Sequence, residues 1–249
     1  MTSNTPDLAI RRERVYSLLL ATFVVVLVLT NIIGVKLFVA FPNLLGEACF
    51  GGLCTLTSGI ITYPLTFLLT DTVSELYGRK RADFMVLVGF IMSLMMLGFV
   101  QAAVALPGSP IWVNPSLGFE TPDAMQKAYL SVFTLPTTLV FGSMSAYLGA
   151  QMLDNRMFHY WRNKTRGRHL WLRNNASTMV SQAVDTVIVN SIFLGFGLGI
   201  AWPDVVRVMI AVYLFKLVIA AADTPLVYLL THWLRPRLGL PPAHEEYEG

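Results

Sequence analysis

The chain has 249 residues, 55% of them hydrophobic and only 13% charged, with a formal net charge of +3. Soluble domains run nearer about a quarter charged, so this composition excludes an ordinary water-soluble globule. Apolar stretches of about 20 residues cross a hydrocarbon core of roughly 30 Å, and the class read here is an all-α integral membrane protein forming one membrane domain over 1–249.

Six spans are predicted, at 15–40, 55–76, 82–106, 134–153, 176–201 and 205–233. The apolar run of the first is too long for a cleaved leader, and no small-x-small site follows it into a soluble domain, so it is expected to remain as helix one. Cys49 and Cys54 follow it. On an oxidising face this pair can close a disulfide, or it can stand as two small apolar residues near the interface; no zinc set completes it. The loop 107–127, rich in Pro and Gly, is expected to carry a short interfacial helix around Trp112. His159, His169, His232 and His244 fall in loops or at helix ends. They provide neither a buried metal site nor a Ser/His dyad, which argues against an enzyme; no metal or other cofactor is expected.

Basic residues orient the spans. Arg11, Arg12 and Arg14 precede the first; Arg79, Lys80 and Arg81 follow the second; Arg156, Arg162, Lys164, Arg166, Arg168 and Arg173 lie between the fourth and fifth; Arg235 and Arg237 follow the sixth. All of these fall on one side of a six-span chain, and the positive-inside rule places both termini in the cytoplasm. Topology therefore explains the basic face, which has no regularly spaced stacking aromatics and implies no nucleic acid partner. Spans one to three then run opposite to spans four to six, an arrangement compatible with a 3+3 inverted repeat. "DTV" at Asp71 recurs at Asp185, and "DT" at Asp223.

Ionisable residues at membrane depth are functional candidates by default. In the second span Tyr63, Phe67, Asp71 and Glu75 recur every four residues and share a helix face. Pro64 is placed to kink this ladder near its outer end. Asp71 lies about 10 Å inside the helix end and Glu75 about 5 Å, close enough to reach headgroup water or pair with Arg79 at i+4. The fifth span carries Gln182, Asp185, Thr186 and Asn190; the sixth carries Tyr213, Lys216 and Asp223; the first carries Asn31. Lys216 needs a counter-charge from Asp185 or Asp223. Polar groups also join helices, but these outnumber what packing needs and predict a polar cavity.

The stretches "TYPLTFLLTDTVSELYG", "RNNASTMVSQAVDT" and "YLFKLVIAAADTPLVYLL" resemble the queuosine precursor transporter family, also called the vitamin uptake transporter or VUT family, across nearly the whole membrane region. The resemblance implies a six-helix bacterial inner-membrane importer of 7-deazaguanines such as preQ0 and preQ1, for tRNA modification. It also implies an architecture similar to the substrate-binding components of energy-coupling-factor vitamin importers, working without their ATPase. The positions carried over from its motifs are Asp71, Asp185 and Lys216; family members differ at Glu75 and Asp223.

The residues suit such a ligand. A deazaguanine presents adjacent N–H and amino donors, which a carboxylate accepts as a pair, and a carbonyl that Lys, Gln or Asn can satisfy. Asp185, Asn190 and Gln182 are expected to read that edge, Asp71 and Lys216 to complete the pocket, and Tyr63, Phe67 or Tyr213 to stack on the ring. Asp71 is the candidate for proton coupling; facilitated diffusion is the other option. Two rivals remain: a subunit that captures another vitamin for an ATP-driven importer, and an intramembrane aspartyl protease built on Asp185 and Asp223. "GFGLGI" at Gly195 lacks the Asp of a G-x-G-D motif, which argues against the protease. The small residues Gly195 and Gly199 allow close helix contact within one chain or in a homodimer.

Overall fold

The computed structural model describes residues 5–34, 36–39, 55–133, 137–166, 168–197 and 199–241. Cys49, Cys54 and the start of the fourth predicted span lie outside them. Among the described residues seven α-helices follow in order: α1 (Thr5–Ile33), α2 (Tyr63–Tyr77), α3 (Arg79–Ala105), α4 (Pro122–Phe133), α5 (Thr137–Lys164), α6 (Leu170–Asn190) and α7 (Trp202–Arg237). Two three-residue strands, β1 (Leu37–Val39) and β2 (Thr55–Thr57), pair antiparallel between α1 and α2.

Among the described residues, four segments are long and apolar enough to cross a bilayer: Pro6–Ile33, Arg79–Ala105, Leu170–Phe196 and Trp202–Arg237. The other two predicted spans depart from expectation in opposite ways. The second is helical only from Tyr63; Thr55–Thr57 is a strand and Ser58–Ile61 a 3₁₀ turn. The run "TLTSGIIT" is rich in β-branched residues and contains Gly59, which favours extended backbone over helix. Pro64 sits in the first turn of α2, where its missing N–H is harmless, so it starts the helix rather than kinking it. With 15 residues, α2 is about 22 Å long. The fourth span, by contrast, continues as helix to Lys164.

The short helix expected around Trp112 also falls elsewhere than predicted. It is α4, beginning at Pro122, and Trp112 lies before it with its ring 5.7 Å from that of Tyr129. Past Asn190 the α6 rod widens into a π-helical segment, Ser191–Gly197, before Gly199 turns the chain at φ +65°. Gly195 lies under the Trp202 ring, and Gly199 is outside any helix, so the two do not form a small-residue helix face.

α2 is the central helix, with every residue from Thr66 to Leu76 buried. It touches α1, α3, α5 and α7. Its buried threonine hydroxyls turn onto its own carbonyls: Thr70 Oγ1 donates to Phe67 O at 3.0 Å and Thr72 Oγ1 to Leu68 O at 2.6 Å. The main apolar cluster, including Phe23, Leu27, Leu69, Val73, Met85 and Tyr147, packs α1 and α3 against it.

The basic segments meet at one end of the bundle. Arg12 Nε donates to Leu238 O at 2.8 Å, Tyr77 OH to Arg12 O at 2.9 Å, and Arg162 Nη1 to Ser74 O at 3.5 Å; Arg81 pairs with Glu13. α1 and α3 come close because Gly89 has no side chain; a Cβ there would stand 2.5 Å from Phe23 Cε1 and 2.9 Å from Leu27 Cδ2. Gly89→Leu is therefore expected to destabilise the bundle by about 1–3 kcal/mol, seen as a lower thermal unfolding midpoint in detergent. Gly98→Ala on the same helix, where a Cβ meets nothing within 4 Å, is expected to leave the midpoint almost unchanged.

Candidate functional site

A pocket with polar side chains in its wall lies between α2, α6 and α7. Tyr63, Phe67 and Asp71 line it from α2, Asn174, Thr178 and Gln182 from α6, and Lys216 and Asp223 from α7; Ile60, Pro64, Ile219 and Ala220 complete the wall. Its free volume is about 20 Å³, room for little more than one water. Six of the predicted site residues thus line one cavity: Tyr63, Phe67, Asp71, Gln182, Lys216 and Asp223.

Asp185 stands directly behind this wall. Its Oδ2 accepts from Lys216 Nζ at 2.7 Å and from Tyr63 OH at 3.2 Å, and the same hydroxyl lies 3.3 Å from Gln182 Oε1. The Lys216 ammonium also sits 4.9 Å from the Tyr63 ring centroid, a cation–π contact. Of the two counter-charges considered for Lys216, Asp185 is the one engaged. The Tyr63 and Phe67 rings meet edge to face at 5.1 Å.

Asp71 is only 1% exposed, its Oδ1 is buried without a hydrogen-bond partner among the described residues, and Asp154 on α5 is likewise fully buried. Asp154 Oδ1 accepts from Ser181 Oγ at 2.8 Å. Asp154 escaped the sequence reading because the apolar run of span four stops just before it, while the helix does not.

Glu75 corrects an expectation. It is 2% exposed and meets no headgroup water. Its partners are Arg173 on α6, at 2.5 Å, and Arg235 on α7, at 2.8 Å. Arg79 pairs instead with Asp83 at 3.2 Å. The chain leaves the axis of α2 at Gly78, where φ is +80°, so Arg79 begins a new helix and is not one turn above Glu75.

Three other predicted residues are engaged outside the pocket wall. Asn31 Nδ2 donates to Ser93 Oγ on α3 at 3.3 Å; Asn190 Nδ2 to Thr186 O of its own helix at 2.7 Å; Tyr213 OH to Met179 O at 3.1 Å. In their place the pocket gains Asn174 and Thr178, which with Gln182 recur every four residues along one strip of α6. That spacing is visible in the sequence; Asn174 lies before the predicted start of the fifth span at 176, whereas Thr178 lies inside it and was passed over as an ordinary helix hydroxyl.

Bilayer-length apolar helices gathered around a charged pocket make the build of a membrane transporter. Known proteins agree. A family described as "Putative vitamin uptake transporter" matches residues 57–230. A protein of Bacillus subtilis (strain 168) named "Probable queuosine precursor transporter" is 32% identical over 176 residues, 70% of this chain and 71% of the relative. The chain belongs to the vitamin uptake transporter family, as a multi-pass membrane transporter of the vitamin and queuosine-precursor type. No solved structure matches it significantly.

Removing Lys216 would strand the Asp185 carboxylate away from water, at a cost of about 3–5 kcal/mol. Lys216→Met is therefore expected to lower the unfolding midpoint in detergent sharply. Adding Asp185→Asn, which keeps an acceptor for Tyr63, is expected to recover most of the loss.

Proposed function

We propose that this transporter imports queuosine precursors, 7-deazaguanines such as preQ0 and preQ1, across the bacterial inner membrane. The observation that carries this reading is the pocket itself: a carboxyl group, an amide and an ammonium group converge beside two aromatic rings. Those are the groups that satisfy the donors, the carbonyl and the face of a planar heterocycle. The name of the B. subtilis relative supports the same ligand class.

In this proposal α1, α2, α3, α5, α6 and α7 all cross the membrane, with the first three opposed to the last three. The meeting of the basic segments at one end of the bundle supports placing that end, and both termini, in the cytoplasm. α2 is short for a crossing, but the buried Ser58 and Gly59 before it allow non-helical backbone at depth, shielded by protein. Since the pocket holds about 20 Å³, in this proposal loading requires α2, α6 and α7 to separate.

Proton coupling is a second element of the proposal, favoured by the burial of Asp71, whose Oδ1 meets no hydrogen-bond partner among the described residues. A carboxyl group lining the pocket can carry a proton, and a bound proton can be exchanged across the membrane when the pocket changes its opening.

Purified protein in liposomes, with no ATPase present, is expected to accumulate labelled preQ1 or preQ0. An acidic exterior is expected to speed uptake, and Asp71→Asn to remove that stimulation. Uptake indifferent to the gradient would leave facilitated diffusion. Binding without uptake until an ATPase module is supplied would identify a capture subunit instead.

A further inference from the structure

The pocket is polarised along its length. At the end nearest the Glu75 ion cluster its polar atoms are acceptors. Asn174 follows Arg173, the Glu75 partner, and is 2% exposed. Its Nδ2 turns toward Thr224 Oγ1 at 3.4 Å, a hydroxyl that also receives Asn175 Nδ2 at 2.8 Å. Asn174 Oδ1 is buried and has no hydrogen-bond partner among the described residues. Asp71, one turn before Glu75, adds its carboxyl to the same end.

At the other end, where α2 begins, the groups on offer are donors. Gln182, 1% exposed, has its Oε1 3.3 Å from Tyr63 OH, and its Nε2 is without a partner among the described residues. Lys216 retains N–H donors beyond the one given to Asp185. A buried amide oxygen and a buried amide nitrogen left unmet each cost about 1–3 kcal/mol. Both lie on the same strip of α6 and both line the cavity.

We propose that Asn174 is a specificity-determining residue: its Oδ1 accepts from an amino group on the ligand's ring, beside the N–H donor taken by Asp71, while Gln182 and Lys216 donate to a carbonyl at the opposite end. This deepens the deazaguanine reading and rests on it. The pocket thereby selects a planar 2-amino-oxo heterocycle and sets its direction, amino edge toward the basic end of the bundle. A ring of the same size without the amino group leaves Asn174 Oδ1 unmet, which is where discrimination arises.

The test compares two ligands on purified full-length protein in detergent, by calorimetric titration: 7-deazaguanine, and 7-deazahypoxanthine, which lacks only the exocyclic amino group. The wild type is expected to prefer the amino ligand by about tenfold or more. Asn174→Leu is expected to bring the ratio close to one by weakening the amino ligand alone. Asn174→Ala carries the same expectation and serves if the Leu variant does not fold. Asn175→Leu, a change beside the pocket lining, is expected to keep the wild-type ratio.

A wild-type ratio near one would overturn the role of Asn174 while leaving the ligand class in place. So would a ratio preserved in the Asn174 variants, or a fall in affinity shared equally by both ligands. If the wild type binds neither compound, the deazaguanine reading falls, and this inference with it.

Discussion

Glu75 has no water to turn to, and three helices are arranged around that fact. A carboxylate moved into an apolar interior loses several kcal/mol of hydration that only close, well-directed partners restore. Its partners arrive from Arg173 on α6 and Arg235 on α7, so one side chain of α2 locks both neighbours at the basic end. At the far end Asp185 and Lys216 tie α6 to α7 in the same manner. Arg173 and Asp185 stand twelve residues apart on α6, or about 18 Å. The pocket occupies the interval, and its length is set by the two ion clusters that bracket it.

Much of this was legible in the sequence, and the misses have physical causes. Long uninterrupted apolar runs identified α1, α3, α6 and α7, because lipid-facing surface demands them. Hydropathy failed at both ends of the argument for α2 and α5. Thr55–Ile61 is apolar enough to be read as span but is built from residues that prefer extended backbone. In α5 the apolar run ends near Leu153, yet Gln151, Asp154 and Asn155 are fully buried against neighbouring helices. Burial by protein, unlike burial by lipid, tolerates polar residues and leaves no hydropathy signal.

The site was legible to the degree that helical spacing reports faces. The ladder Tyr63, Phe67, Asp71 did mark the wall of a cavity, and Lys216 did find a carboxylate. Spacing within one helix could not reveal which helices pack together, and so it assigned Glu75 to Arg79 rather than to arginines 98 and 160 residues away. Nor could it tell a side chain aimed into a cavity from one, like Asn190, satisfied on its own backbone.

The contact between Arg12 and the carbonyls of Leu238 and Gly239 joins residues separated by 226 and 227 positions. Such closure spans most of the described residues, and non-local contacts form late. During synthesis Arg12 cannot reach these carbonyls until residues 238 and 239 have been made. The finished bundle is therefore fastened last at the seam where its two ends meet.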